Sequence, residues 1–304
     1  MPRATNSSDE ARVSTSDVTG PASAVAEAAA PSGRDAASTP DRVVPKRPRR
    51  HGHATVRLLQ VLVAVVVLGG WEALVRARVI DEFFFPLPTD VAVQVGDWLT
   101  SGFIYPHLWV TIQEALYAFI IGSILGLGLG FFLARSDFAA AVLDPYLKMF
   151  NALPRVVLAP IFLLWFGLGI WSKVAFGVTL VFFIVFFNTL QGVRNVDKVL
   201  INNARMLGAN ERQLMRHVLL PSALTWIFSS LHISVGFAIT GAVVGEYLGA
   251  SAGVGYVIAQ AEGVFDTTGV FAGMIVLMLV VLVVDVIVNR VETRLLRWQP
   301  QTQK

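Results

Sequence analysis

Six stretches of this chain are apolar over close to the ~20 residues that a helix needs to cross a bilayer: residues 56–74, 111–134, 154–170, 174–190, 224–244 and 270–288. That feature removes most folds from consideration. Inside hydrocarbon every backbone N–H and C=O must be satisfied by the protein, and a helix does this within its own segment. Composition agrees: 55% of the 304 residues are hydrophobic and 15% are charged, with mean hydropathy +0.63, whereas soluble domains carry about 25% charge. The expected fold class is an all-α integral membrane protein of about six transmembrane helices. The third stretch is the least regular. It holds Pro154 and Pro160 and can be started as early as Ala139; proline is tolerated in a span where neighbours satisfy the freed backbone groups.

The first 54 residues form a separate unit of Ala, Ser, Thr, Pro and Asp, closed by a basic juxtamembrane arm. Without apolar periodicity such a segment cannot offset its chain entropy, so a disordered tail is expected there. It has no h-region of a secretory signal. Its acids (Asp9, Glu10, Asp17, Glu27, Asp35) also argue against a transit peptide. The membrane domain is expected over 55–300.

Basic residues alternate between the connections. Lys46, Arg47, Arg49, Arg50 and Arg57 precede the first span, and Arg135, Lys148 and Arg155 lie between the second and third. Arg194, Lys198, Arg205, Arg212 and Arg216 lie between the fourth and fifth, and Arg290, Arg294, Arg297 and Lys304 follow the sixth. The alternate connections hold only Arg76, Arg78 and Lys173. Positive charge marks the cytoplasmic side, so both termini and the connection over 195–221 are expected to be cytoplasmic.

That connection is polar and helix-like. Asn195 is placed to cap a first helix, with Val196, Val199, Leu200, Ala204 and Leu207 on one face at helical spacing. Gly208 suits the left-handed position that ends it. Asn210 and Gln213 read as a capping box for a second helix, striped by Leu214, Val218 and Leu219, which Pro221 would stop or kink. An ordinary loop packed on its own protein and a socket for a cytoplasmic partner both fit. A DNA-reading helix-turn-helix does not, because both ends are anchored in spans.

Here the sequence resembles a family. "NNARMLGANERQLMRHVLLP" (202–221) is similar to the E-A-A-x-x-x-G motif of the permease subunits of type I ABC importers: Ala204 matches its second alanine, Gly208 its glycine and Leu220-Pro221 its closing pair. Asn202 and Asn203 stand where the motif has glutamate and its first alanine; asparagine can hydrogen-bond but cannot form a salt bridge. "FPLPTDV", "LAPIFLLWFGLGIWSK", "FFNTLQGVRNVD", "GEYLGASAGVGY" and "RLLRWQP" extend the resemblance over about 86–300, toward the nitrate, sulfonate and taurine branch.

The resemblance implies a permease of the cytoplasmic (inner) membrane that moves a small solute inward by alternating access. The solute would be a sulfonate, nitrate, taurine-like or vitamin-precursor molecule. A second permease copy, in a homodimer, would complete the path. Two ATPase subunits would dock on Asn202, Asn203, Ala204, Arg205, Gly208, Ala209, Glu211, Leu220 and Pro221. A binding protein would deliver solute from outside. No catalytic residue, cofactor, metal or nucleic acid belongs to such a chain; ATP and Mg would sit on the ATPase, and the remaining contact is with lipid. A secondary transporter and a membrane-anchored docking scaffold are the alternatives.

The rest of the sequence is consistent with a transport subunit. It contains no G-x-x-x-x-G-K-[ST] phosphate loop, no H-E-x-x-H, no G-x-S-x-G and no cysteine. Glu114, Gly126, Pro160, Glu246, Gly253 and Gly255 are the candidates for the translocation path. Glu72, Glu114 and Asp285 fall near span ends, where structural hydrogen bonding is the expected role. Gly122 and Gly126 have small-xxx-small spacing for close helix packing. Glu246, Gly253 and Gly255 are expected in the loop after the fifth span, in tight turns or a re-entrant segment. His232 is expected to pack helices rather than bind metal. The aromatics Trp165, Phe166, Phe182, Phe183, Phe186, Phe187 and Trp226 are expected to contact lipid or other spans.

Overall fold

The computed structural model describes residues 53–295, and among these every regular element is helical. The tail expected over 1–54 therefore lies outside the described residues, except that its last two open the first helix. In chain order the helices begin with α1 (His53–Arg76), α2 (Pro88–Thr100), α3 (Ile104–Arg135) and α4 (Asp137–Ala152). A 3-10 turn (Arg155–Leu158) leads to α5 (Ala159–Phe166), followed by α6 (Ile170–Arg194) and α7 (Lys198–Met206). Helix α8 (Glu211–Leu214) runs through a π-helical turn (Met215–Leu219) into α9 (Leu220–Leu248), and α10 (Val254–Gly263) and α11 (Thr267–Leu295) complete the fold.

Among the described residues, five helices are long and apolar enough to cross a membrane: α1, α3, α6, the α8–α9 rod and α11. The sixth is a pair, α4 and the turn with α5, bent by 87°. The third apolar run is thus a broken span rather than a straight helix. Pro154 disfavours helical backbone at the residue before it, and Leu153 is accordingly extended, at φ −65° and ψ 134°. Gly167, at φ 71°, ends the second half.

Helix α2 was not expected from hydropathy. At 13 residues it is too short to span. Its buried face, Val91 and Val95, packs with Ile104 of α3, Val254 and Ile258 of α10, and Ala272 and Val276 of α11. These four elements form a cap at the end opposite α7.

The body of the domain is α6 held between α3 and α9. Without hydrophobic drive in lipid, such helices associate through small residues that let backbones close in. Gly122, Gly126 and Gly130 lie on α3 against Val181, Val185 and Thr189 of α6. A Cβ on Gly126 would sit 2.9 Å from the Phe182 carbonyl oxygen and 2.9 Å from Val185 Cβ. On the other side of α6, a Cβ on Gly241 of α9 would lie 2.6 Å from the Cα of Gly177. By contrast, almost all of α1 is exposed, which suits a lipid-facing helix.

The two α3 glycines Gly126 and Gly128 separate packing from helix propensity. Gly126→Ala should lower stability by about 1–3 kcal/mol, because the Val185 side chain and the α6 backbone must move. Gly128→Ala, with nothing within 4 Å of its new Cβ, should be neutral or stabilising by up to about 1 kcal/mol. Thermal unfolding of the two variants in detergent checks the contrast, and equal midpoints would contradict the seam.

Candidate functional site

Two arrangements carry function-bearing groups, one at each end of the three-helix body. The first is a buried polar knot. Glu114 on α3, Lys173 in the first turn of α6 and Glu246 near the end of α9 are each at most 2% exposed. Glu246 Oε1 accepts from Thr111 Oγ1 at 2.7 Å, and its Oε2 accepts from the Gly255 N–H at 2.7 Å. Thr111 Oγ1 in turn accepts from the Val254 N–H at 2.9 Å, while His107 Nδ1 accepts from the Gly253 N–H at 3.2 Å. Thus α3 and α9 together satisfy the first N–H groups of α10, which have no partner within that helix. A carboxylate there also meets the positive end of the α10 dipole.

Lys173 Nζ donates to the carbonyls of Leu168, at 2.5 Å, and Gly169, at 3.1 Å. It therefore ties the end of the broken span to α6. Both carboxyls lie close enough to interact with it electrostatically. Three ionisable groups placed in a bilayer-spanning body are costly unless they are satisfied; the hydrogen bonds above hold Glu246 and Lys173, whereas Glu114 Oε2 is buried without a hydrogen-bond partner.

This corrects the sequence reading at several points. Glu246 belongs to helix α9 and is buried, not in a loop. Lys173 is likewise interior rather than in a connection. Gly253, at φ 115°, precedes α10 and Gly255 lies within it. A Cβ on Gly253 would meet the Glu246 carboxyl, and a Cβ on Gly255 would meet the Val243 carbonyl oxygen and lie 2.9 Å from Glu246 Cβ. Gly126 sits in the α3–α6 seam, and Pro160 lies exposed on α5. The structure brings together Glu114, Glu246, Gly253 and Gly255 of the path candidates, and leaves Gly126 and Pro160 apart. Lys173, Thr111 and His107 were missed. The available signal for Lys173 was a lone base with apolar runs on both sides.

Glu72 and His232 each join two helices. Glu72 accepts from Arg76 and from both the N–H and hydroxyl of Thr89, joining α1 to α2. His232 of α9 lies 3.3 Å from Asp285 and 2.9 Å from Glu292 of α11. It clamps two helices, and among the described residues no group of three or more His, Cys, Asp or Glu side chains could hold a metal.

The second arrangement is the insert over 195–221. Asn195 ends α6 instead of starting α7; the cap of α7 is Asp197, whose side chain accepts from the Val199 N–H at 2.8 Å. Gly208, at φ 82°, closes α7. Its N–H bonds the Arg205 carbonyl at 2.9 Å and the Ala209 N–H bonds the Ala204 carbonyl at 3.0 Å, the paired bonds of a Schellman end. Asn210 and Gln213 form the reciprocal capping box at 2.8 and 2.9 Å. Glu211 pairs with Arg205 at 3.2 Å and faces Arg135, at the end of α3, at 3.6 Å.

Pro221 does not stop the second helix, which continues from Glu211 to Leu248. The chain takes a π-helical turn just before Pro221, with the Leu220 N–H bonding the Met215 carbonyl, and so absorbs the donor that proline lacks. Asn202 and Asn203 are exposed on α7. Val199, Leu200 and Met206 of α7 and Leu207 just after it are also exposed, so these apolar side chains do not pack on the chain's own body, whereas Ile201 and Ala204 are half-buried.

The sequence matches the family described as binding-protein-dependent transport system inner membrane component over residues 119–297, more than half of the chain. It is 34% identical over 256 residues to the putative aliphatic sulfonates transport permease protein SsuC of Bacillus subtilis, covering 84% of this chain and 92% of that one. It is 35% identical to the riboflavin transport system permease protein RibX of Chloroflexus aurantiacus, covering 77% and 88% of the two chains. The taurine transport system permease protein TauC of Escherichia coli is 26% identical, over 81% of this chain and 91% of its own. In fold, the chain is similar to a solved structure of the MetNI methionine ABC transporter in an inward-facing conformation, with TM-score 0.55, 18% identity, and coverage of 62% of this chain and 94% of that one.

Removing the carboxylate of Glu246 leaves the Thr111 hydroxyl and the Gly255 N–H without their acceptor. Glu246→Ala should therefore cost about 2–4 kcal/mol. Glu246→Gln, which keeps one acceptor oxygen, should fall between that and the wild type. Thermal unfolding midpoints in detergent check the order; an alanine variant as stable as wild type would show the knot to be dispensable.

Proposed function

The chain belongs to the family of binding-protein-dependent transport system inner membrane components, and from that premise we propose how it couples to its partners. It is a multi-pass membrane permease subunit of an ABC importer, a transport subunit and not an enzyme. Permeases of this kind work with ATPase subunits and a substrate-binding protein. The finer assembly is our proposal: two copies of this permease as a homodimer, two ATPases that hold ATP and Mg, and α1 in contact with lipid. Solute arrives at the cap built by α2 and α10. The basic residues Arg135, Arg194, Lys198, Arg205, Arg212, Arg216, Arg290 and Arg294 gather at the insert end, which supports placing that end and both termini in the cytoplasm of an inner-membrane protein. The domain division into a tail (1–54) and a membrane domain (55–300) is retained in this reading.

One observation carries the coupling role. Met206 and Leu207, at the tip of the insert, are 85% and 88% exposed, yet the backbone that presents them is locked by the Schellman end and the capping box. A rigid, apolar, water-facing tip is a partner surface. Because α8 continues through the π turn into α9, displacement of the tip is displacement of a span. ATPase closure would move the insert, and alternating access would follow at the far end. Asn202, Asn203, Ala204, Arg205, Gly208, Ala209, Glu211, Leu220 and Pro221 make up the docking unit. The asparagines contribute hydrogen bonds where related motifs carry a charge. The cargo is a small solute of the kind named for the relatives: an alkyl sulfonate, taurine, or a vitamin or its precursor.

The test is co-purification with the host's ATPase subunit. Met206→Glu and Leu207→Glu change only exposed tip side chains and should reduce ATPase recovery by about tenfold or more. Phe265→Glu, exposed at the opposite end, should leave recovery unchanged. ATPase recovery at wild-type level with both tip variants would move the docking site elsewhere.

A further inference from the structure

The break in the split span places a positive charge beside the middle of a membrane-spanning helix. Arg155 opens the 3-10 turn after Pro154, and its guanidinium lies 5.0 Å from the centroid of the Phe183 ring. Phe183 is 13 residues after Ile170 (183 − 170) and 11 before Arg194 (194 − 183), the two ends of α6. At 1.5 Å per residue the guanidinium is therefore level with the middle of α6, ~16–20 Å from either end. Hydrocarbon extends only about 15 Å from the bilayer midplane, so phosphate headgroups are out of reach. Charge alternation in the sequence groups Arg155 with the cytoplasmic Arg135 and Lys148; the broken span, bent by 87°, places it beside the middle of α6 instead.

Among the described residues no carboxylate pairs with Arg155. Its Nη2 donates to Asn151 Oδ1, its face rests on Phe183, and its Nε is buried without a hydrogen-bond partner. Lys173 differs, because two carboxyls lie beside it. An intramembrane charge persists where it pairs, or where it lines a path for solute. The backbone around Arg155 adds an independent constraint. Residues 153–157 depart from α-helix, and Leu153, Val156 and Val157 are exposed. Irregular backbone at membrane depth is tolerated where protein buries it or a water-filled cavity meets it.

We propose that Arg155, at the break of the split span, is a cationic recognition site in the translocation path for the oxyanion group of the solute, a sulfonate or carboxylate. The inference rests on the importer reading and narrows its cargo to solutes with a negative group. Of the five guanidinium N–H donors, Asn151 occupies one and the Nε–H is buried, which leaves three on the Nη atoms, and a pair of these matches an oxyanion bidentately. The cation–π contact holds the plane in place without neutralising it. A site with one charge and few fixed partners also allows release, which conduction requires.

The chain has no cysteine, so a single introduced thiol reports on one position. Val157→Cys, 65% exposed and two residues from Arg155, is reacted in reconstituted vesicles with two small thiosulfonate reagents. One carries a sulfonate and the other a trimethylammonium. The experiment is repeated in Arg155→Lys and Arg155→Gln backgrounds, with Leu62→Cys on the exposed face of α1 as the lipid-facing control. ATPase co-purification is scored for every variant.

With Arg155 present, Val157→Cys should react and Leu62→Cys should not, and the sulfonate reagent should be favoured. Arg155→Gln should lower the ratio of anionic to cationic rates by about tenfold, and Arg155→Lys should keep it within about threefold. Millimolar ethanesulfonate should slow labelling in the Arg155 and Lys backgrounds only. A Val157 thiol that is unreactive, or whose rate ratio ignores residue 155, overturns the proposal. If the ATPase co-purifies in that case, the importer reading stands without this site. If the ATPase fails to co-purify with any variant, the coupling reading falls instead.

Discussion

Helix α6 approaches α3 on one side and α9 on the other so closely that a single added Cβ in either seam would collide with the facing helix. In lipid the apolar side chains gain nothing by leaving solvent, so helices hold together through packing and hydrogen bonds. Gly122, Gly126 and Gly130 open one seam and Gly177 and Gly241 the other. With those seams closed, α6 becomes a fixed post. Lys173 at one end of it and Arg194 at the other are then presented at fixed heights, and the broken span leans on its middle through Arg155 and Phe183.

From that post the two ends of the domain differ in how they satisfy polar groups. At the capped end, Thr111 and Glu246 receive the N–H groups that open α10, so three elements share one buried network. Partial loss of such a network is costly, because each remaining donor stays out of water without an acceptor. At the insert end, the caps are local and water-facing, and apolar side chains point away from the body. The capped end is thus built to hold its neighbours in one arrangement, and the insert end is built to present a rigid surface. That asymmetry is what a subunit needs if force enters at one end and the response appears at the other.

The insert was largely legible from sequence because its determinants are local. Gly208 and the pair Asn210 and Gln213 act within a few residues, and the expected geometry is found. Errors there came from details of continuity: Asp197 rather than Asn195 caps α7, and the π turn carries the chain past Pro221. The buried knot was much less legible. Hydropathy treats Lys173 and Glu246 as markers of span ends, and nothing in their immediate neighbours says that they meet residues about 60 to 135 positions away.

The all-helical membrane class, five of the six crossings and their order, and the capped two-helix insert can all be read along the chain. Each follows from a property summed over one segment: apolar length, charge between segments, or a cap within one turn. The split of the third crossing, the shared interior site of Glu114, Lys173 and Glu246, and the place of Arg155 at mid-height of α6 emerge from packing alone. These depend on how far one helix slides and tilts along another, which is set by the fit of glycine seams across helices and not by the composition of either helix alone.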